Sequence, residues 1–261
     1  MAAPSIVFLM YHELELEGRK LVQSEPGYVR YILPLETFRS QMEWMKDSGF
    51  RGLSVSEAIR FPQQSGVCIT FDDGCETDLI AAAAILQATA FRATFYLTAG
   101  FLGTPGYLTP GQVRDLDARG FEIGCHSMTH AYLSDLSDLE LRREIAEAKL
   151  KIEQIVAHPL EHFSCPGGRY DARTIETARR AGFRTVANSR FHANTPANSL
   201  YELGRVAILR DMPLGEFGAI CRGEGLWKKR FQDRARQSVR QVLGNRAYDR
   251  LRSSLLGESS R

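Results

Sequence analysis

The chain has 261 residues, 44% of them hydrophobic and 25% charged, with a formal net charge of +2. That balance excludes a disordered or fibrous chain and fits a globular protein whose core needs no covalent staples. Five cysteines at irregular spacing exclude a disulfide framework and point to a reducing compartment; with no basic leader and a first apolar run too short to cross a bilayer, the expected location is the cytoplasm.

In chain order, Ser5 to Tyr11 reads as a buried strand that ends at His12-Glu13. After a polar stretch to about Leu33, Phe38, Met42 and Met45 recur at helical spacing and Gly49 stops them. Ser54 to Arg60 suggests a short helix capped by Ser54 or Ser56. The stretch Ser65 to Gly74 is an apolar run that empties into two adjacent carboxylates, Asp72 and Asp73, and a glycine. Side chains alternate along a strand, so the two acids face one site only if the backbone bends there. Like charges side by side repel and lose solvation, which a cation or a shared proton relieves. Thr77 to Ala88 is helical, Ala93 to Leu97 a strand, and Gln112 to Ala118 a helix stopped by Gly120. Phe121 to Cys125 forms a strand that delivers His126-Ser127-Met128-Thr129-His130. A long helix opens at the capping-box spacing Ser137 to Glu140 and carries Leu141, Ile145, Ala148, Ile152 and Ile155 on one stripe. Phe163 to Cys165 is a strand leading to Pro166-Gly167-Gly168. Ala172 to Arg180 is a helix, Phe183 to Ala187 a strand, and Val206 to Leu209 the last strand.

Strands and helices alternate, which predicts parallel strands with crossover helices and a site at the strands' C-terminal ends. The expected organisation is a domain over 1–221 followed by a basic helical extension over 222–261. From Arg222 onward basic residues exceed acidic ones by about seven, and Trp227, Phe231, Ala235, Val239 and Val242, then Tyr248, Leu251 and Leu255, recur at helical spacing. The favoured reading packs this extension on the domain; contact of 227–256 with a membrane surface is the second reading, and nucleic acid is not expected as a partner.

On a helical turn, His126 and His130 would share one face and could hold one metal ion. Two imidazoles and one carboxylate leave coordination positions open for water and substrate, a catalytic rather than a structural set. The spare carboxylate is then free to act as a base.

These motifs together resemble the polysaccharide deacetylase family, the NodB-homology carbohydrate esterases: Thr70-Phe71-Asp72-Asp73-Gly74, His126-x-x-x-His130 and Phe163-x-x-Pro166-x-Gly168, preceded by Tyr11-His12. The resemblance runs over about residues 5 to 210 and implies an α/β fold, a distorted (β/α) barrel of about seven units. It implies that Asp72 is the catalytic base, that Asp73, His126 and His130 hold a divalent metal (Zn2+, with Co2+, Ni2+ or Mn2+ as alternatives), and that Gly167, shaped by Pro166, gives a backbone N–H to the oxyanion. The implied reaction is removal of an N-acetyl or similar N-acyl group from an amino sugar, in a polysaccharide or a lipid- or nucleotide-linked intermediate. An allantoinase-like hydrolase of a cyclic imide or ureide and an inactive carbohydrate-binding module are the other readings.

The chain departs from the family pattern twice. Ser164 stands where the family often has an arginine paired with the base. Leu203-Gly204-Arg205, the nearest match to the family's Leu-x-His motif, ends in arginine where that motif's histidine usually serves as general acid. His192 and His12 are the remaining candidates for that role, while His158 and His162 read as structural. Cys75, Cys125 and Cys165 adjoin the three motifs; buried thiols rather than ligands are expected, with sensitivity to thiol reagents.

Overall fold

The computed structural model describes residues 4–61 and 66–226, so the extension expected over 227–256 lies outside the described residues. In chain order the strands are β1 (Val7–Tyr11), β2 (Leu14–Glu15), β3 (Leu33–Pro34), β4 (Arg51–Leu53), β5 (Gly66–Phe71), β6 (Thr94–Leu97), β7 (Glu122–Cys125), β8 (His162–Ser164), β9 (Thr185–Ala187) and β10 (Val206–Ala207). The helices are α1 (Pro26–Val29), α2 (Leu35–Asp47), α3 (Val55–Ala58), α4 (Ala83–Ala88), α5 (Pro110–Ala118), α6 (Asp138–Arg142), α7 (Ala148–Val156), α8 (Ala172–Arg180) and α9 (Leu214–Cys221).

The main sheet runs β10-β1-β5-β6-β7-β8-β9, parallel at every pairing. Because β1 pairs with β5 from Val67 to Phe71, β4 and β6 share the opposite edge of β5, β4 beside its start and β6 beside its end. The curl is joined up by 203–207: Leu203 bridges Ala187 of β9, and three residues on, Val206 pairs with Leu9 of β1. The result is a distorted (β/α) barrel, in which Arg205 falls in the joining seam.

Strand alternation sorts the side chains into two layers. Val7, Leu9, Tyr11, Val67, Ile69, Phe71, Phe95, Ile123 and Phe163 pack outward with the helices, stacking Tyr11, Phe71 and Phe95 ring on ring at about 5 Å. Ile6, Phe8, Cys68, Tyr96, Ala187 and Leu203 form a second, smaller apolar cluster with Val55 and Ala58 of α3, capped by Ser54 rather than Ser56. Gly124 of β7 is required there, since a Cβ would lie 2.5 Å from the Tyr96 ring.

Two expected helices contain a wider turn. A π-turn over Asp78–Ala82 precedes α4, and another over Arg143–Glu147 separates α6 from α7. The segments β2, β3, β4, α1 and α9 are structured where no regular element was expected.

Candidate metal centre and acid–base site

Asp72 and Asp73 follow the last residue of β5, and the backbone does bend: Asp73 has φ +80° and Gly74 +79°. A left-handed aspartate is uncommon, and here it turns the second carboxylate toward the side its neighbour faces. Thr98 N–H donates to the Asp73 carbonyl and Leu108 N–H to that of Gly74, which fixes the bend.

The turn from His126 to His130 is not helical, contrary to the reading of its spacing. Ser127 (φ +71°) and His130 (φ +63°) are both left-handed. The loop is held from two sides. Ala99 and Gly100 donate N–H groups to the carbonyls of Ser127 and Met128, and Gly100 is needed because a Cβ would lie 2.4 Å from the Met128 oxygen. From the π-turn, Glu144 accepts the N–H groups of Met128 and Thr129 and the Thr129 hydroxyl, at 2.6 to 3.0 Å. The rings still converge, with centroids 5.1 Å apart.

His126 Nδ1 lies 2.9 Å from the Ser164 carbonyl, which can only accept, so that nitrogen carries the proton and Nε2 keeps its lone pair. Burial pushes the imidazole down to about 4 against the nearby Asp72 charge, so it stays neutral. Its Nε2 is 3.6 Å from Asp73 Oδ1, and His130 Nε2 is 3.4 Å from the same oxygen. Ligands bound at about 2.0–2.1 Å in tetrahedral geometry stand about 3.3–3.4 Å apart, so these donors need little adjustment to grip one ion. One atom from each of the three residues lies within 4.8 Å of the others. Asp73 Oδ1 is buried and has no hydrogen-bond partner, whereas Oδ2 accepts the Tyr28 hydroxyl at 2.7 Å. A buried carboxylate oxygen left without a partner, facing two imidazole nitrogens, fits a divalent cation.

Asp72 has a different environment. Arg205 Nη1 and Nη2 donate to its two oxygens at 2.7 Å each, a bidentate ion pair. The guanidinium also donates to Ser164 Oγ at 2.7 Å, to Thr70 Oγ1 and to the Asn188 carbonyl, and lies over the Tyr96 ring. Burial opposes ionisation of Asp72, but Arg205 outweighs it and holds the carboxyl well below the usual range. The arginine missing at Ser164 is therefore supplied by the seam, and Ser164 is small enough to receive it. Reading Arg205 only as a lost histidine missed this; the signal was present, since arginine leaves one motif where it enters another.

Of the two candidate proton donors, the structure places His12 beside the paired aspartates. His12 follows β1, its Nδ1 is buried without a partner, and its ring lies against Tyr28 and Tyr31 of the α1 region. Burial pushes its pKa down, while Asp73 and Asp72 pull it up. His192 packs over Gly204, where a Cβ would lie 2.3 Å from its Cε1.

Pro166 is buried at the end of β8, and Gly167 is left-handed (φ +58°), with the Tyr132 ring 3.0 Å from where a Cβ would stand. The turn adjoins the centre through Ser164, which meets both His126 and Arg205. No cysteine belongs to the metal-competent group. All five thiols are buried, and burial pushes Cys125 up to about 12, so the expected sensitivity to thiol reagents has no reactive thiolate behind it. His162 is structural, as expected, at the far end of the barrel. Asp78, on the first π-turn, is buried with both oxygens unpartnered, and burial and the neighbouring acids push its carboxyl well up.

Residues 61–186 match the family model for polysaccharide deacetylase. YxkH of Bacillus subtilis (strain 168), named as a polysaccharide deacetylase, is 26% identical over 217 residues, covering 81% of this chain and 74% of that protein. The peptidoglycan-N-acetylglucosamine deacetylase of Bacillus cereus is 35% identical over 121 residues, but the match covers only 46% of this chain and 54% of that protein. The fold matches that of the Streptococcus pyogenes deacetylase PplD, solved with acetate, with a TM-score of 0.73 at 24% identity, over 82% of this chain and 97% of that one. These matches make the chain similar to polysaccharide deacetylases, and the stretch matched by the family model, 61–186, carries the paired aspartates and the two histidines at their strand ends.

Proposed function

We propose that the protein is a metal-dependent hydrolase that removes an N-acetyl, or similar N-acyl, group from an amino sugar. The observation that carries the reading is the unpartnered Asp73 Oδ1, buried between the two imidazole nitrogens at bonding separation for one shared ion. A divalent cation held by Asp73, His126 and His130 would supply Lewis-acid polarisation of the acyl carbonyl and of water.

The chain's own groups divide the proton transfers. Asp72, fixed and kept ionised by Arg205, accepts a proton from the attacking water. His12 gives a proton from its ring to the leaving amine; burial, by lowering its pKa, makes its charged form the stronger acid. The turn at Pro166-Gly167 offers the backbone N–H of Gly167 to the oxygen that gains charge. The water oxygen bonds to the acyl carbon as its proton leaves, and the C–N bond breaks as the amine nitrogen is protonated. The proton on Asp72 returns to His12, and the released carboxylic acid gives its remaining proton to solvent, leaving a carboxylate and a free amine.

The retained base, with its guanidinium supplied from Arg205, speaks against a decayed carbohydrate-binding module. The proposal extends to a lipid- or nucleotide-linked sugar in the cytoplasm, which the excess of basic residues after Arg222 suits by attraction to phosphate. Among the described residues no helix is long and apolar enough to cross a membrane. The test is acetate release from N-acetylglucosamine oligomers and from lipid- and nucleotide-linked N-acetyl sugars, with Asp72→Asn as control. Release by the wild type that drops about 10³-fold in the variant is expected; equal rates in the two proteins would remove Asp72 as the base.

A further inference from the structure

Resting on the reading of Asp73, His126 and His130 as a cation site, we propose that Tyr28 is a positioning residue for that site, deciding which oxygen of Asp73 a metal can take. The Tyr28 hydroxyl donates to Oδ2 at 2.7 Å, while Oδ1, the oxygen nearest both imidazole nitrogens, has no partner. A carboxylate with one oxygen occupied by a donor binds a cation through the other alone. It is also locked against rotation about its terminal bond, so its ordering cost is met before the ion arrives.

The contact is built rather than incidental, because the segment that carries α1 is anchored at both ends. On the entry side Glu13 accepts the Val22 N–H, and Arg19 pairs with Glu76 at 2.7 Å and donates to the Gly106 carbonyl. On the exit side Arg210 pairs with Glu15, donates to the Ile32 carbonyl, and gives its N–H to the Arg30 carbonyl. The same short helix sets Tyr28 edge-on to His12 (centroids 6.2 Å apart), and Tyr31 follows it against the other ring contact at 5.3 Å. Tyr31 therefore makes a built-in control: it shares the segment and the histidine, and no hydrogen bond joins it to Asp73 among the described contacts.

The experiment is a competition titration of metal-free protein with Zn2+ against a chromophoric chelator, paired with the visible spectrum of the Co2+ form. Wild type, Tyr28→Phe and Tyr31→Phe are compared, with their thermal midpoints in EDTA. Tyr28→Phe is expected to weaken Zn2+ binding about 10- to 100-fold and to alter the Co2+ bands, because the freed oxygen joins the coordination; Tyr31→Phe is expected to stay within about twofold. Tyr28→Phe binding like wild type, or both variants losing affinity equally, overturns the proposal while leaving the cation site standing. A wild type that takes up neither ion brings down the site and this inference together. Should Tyr28→Phe not fold, a crystal structure of the Zn2+-loaded wild type decides: Asp73 bound through Oδ1 with Tyr28 on Oδ2 upholds it, and a bidentate Asp73 overturns it.

Discussion

The barrel has two polar ends, and they are built on opposite principles. At the N-terminal ends of the strands, the first residues of β6, β7, β8 and β9 (Thr94, Glu122, His162 and Thr185) form a closed network with α3. Glu122 accepts the Thr94 hydroxyl and the Ser56 N–H; His162 Nε2 meets Ser56 Oγ at 2.8 Å and Glu122 at 3.3 Å, and its Nδ1 meets Thr185 Oγ1 at 2.9 Å. Thr94 also accepts the Val55 N–H, so the network caps the short helix that plugs this end. At the C-terminal ends, Asp73 Oδ1 and His12 Nδ1 are left buried without partners, and Asp73, Ser127 and His130 adopt left-handed backbone. Histidines paired with carboxylates occur at both ends; what separates a structural from a chemical cluster is whether its hydrogen-bonding capacity is used up.

That contrast can be broken most forcefully at Arg205. Replacing it by Met leaves the Asp72 carboxylate buried with its main partner gone, and should cost about 3–5 kcal/mol in a denaturant melt together with most activity. A change below about 1 kcal/mol would mean that Asp72 is solvated or protonated in the native protein. Next, His12→Gln should lower kcat by about 10²-fold, while His192→Gln should stay within about twofold; the reverse ranking would move the proton donor to the loop after β9.

The closed end should answer in stability, not rate. Burial opposes ionisation of Glu122, yet His162, Ser56 and Thr94 outweigh it and bring the carboxyl down to about 2 from an ordinary 4.5. A lowered folded-state value contributes stability that is complete above about pH 4.5 and is lost as pH falls toward 2. Glu122→Gln is therefore expected to lower stability at pH 7 by about 2–3 kcal/mol, to flatten the acid loss over that window, and to leave kcat of the folded enzyme unchanged. An effect on kcat alone would break the division between the two ends. The smallest effect belongs to Glu144→Gln, which weakens the clamp on the 127–130 turn; about tenfold in Zn2+ affinity is expected with the thermal midpoint nearly kept.

Much of this was legible because β5, β7 and β8 each end in a motif. Period-two burial and the glycine stop located Asp72 and Asp73, and the requirement for a bend between them is met by the left-handed Asp73. Cys125, one residue before His126 on β7, packs into the outer apolar layer, as alternation along the strand requires. The spacing of His126 and His130 predicts a helical turn, because four residues per turn is the default; the loop reaches the same convergence through left-handed Ser127 and His130, and Glu144 holds the two residues between them, Met128 and Thr129, from 16 and 15 positions away. Long-range pairing of this kind leaves no periodicity to read. Arg205 was hidden for the same reason: its meaning depends on the seam that joins β9 to β1, which brings position 205 to position 72. Tyr28 lay in a stretch with no regular pattern, and α1 is too short to give one.

The most direct test of the account is the metal stoichiometry of the purified full chain, measured by Zn2+ titration of wild type and of Asp73→Asn. One tightly bound equivalent in the wild type, with affinity lost by at least about 10²-fold in the variant, is the predicted result. Equal binding by the two proteins, or none by the wild type, would contradict the claim that the bent β5 terminus and the two imidazoles form one cation site.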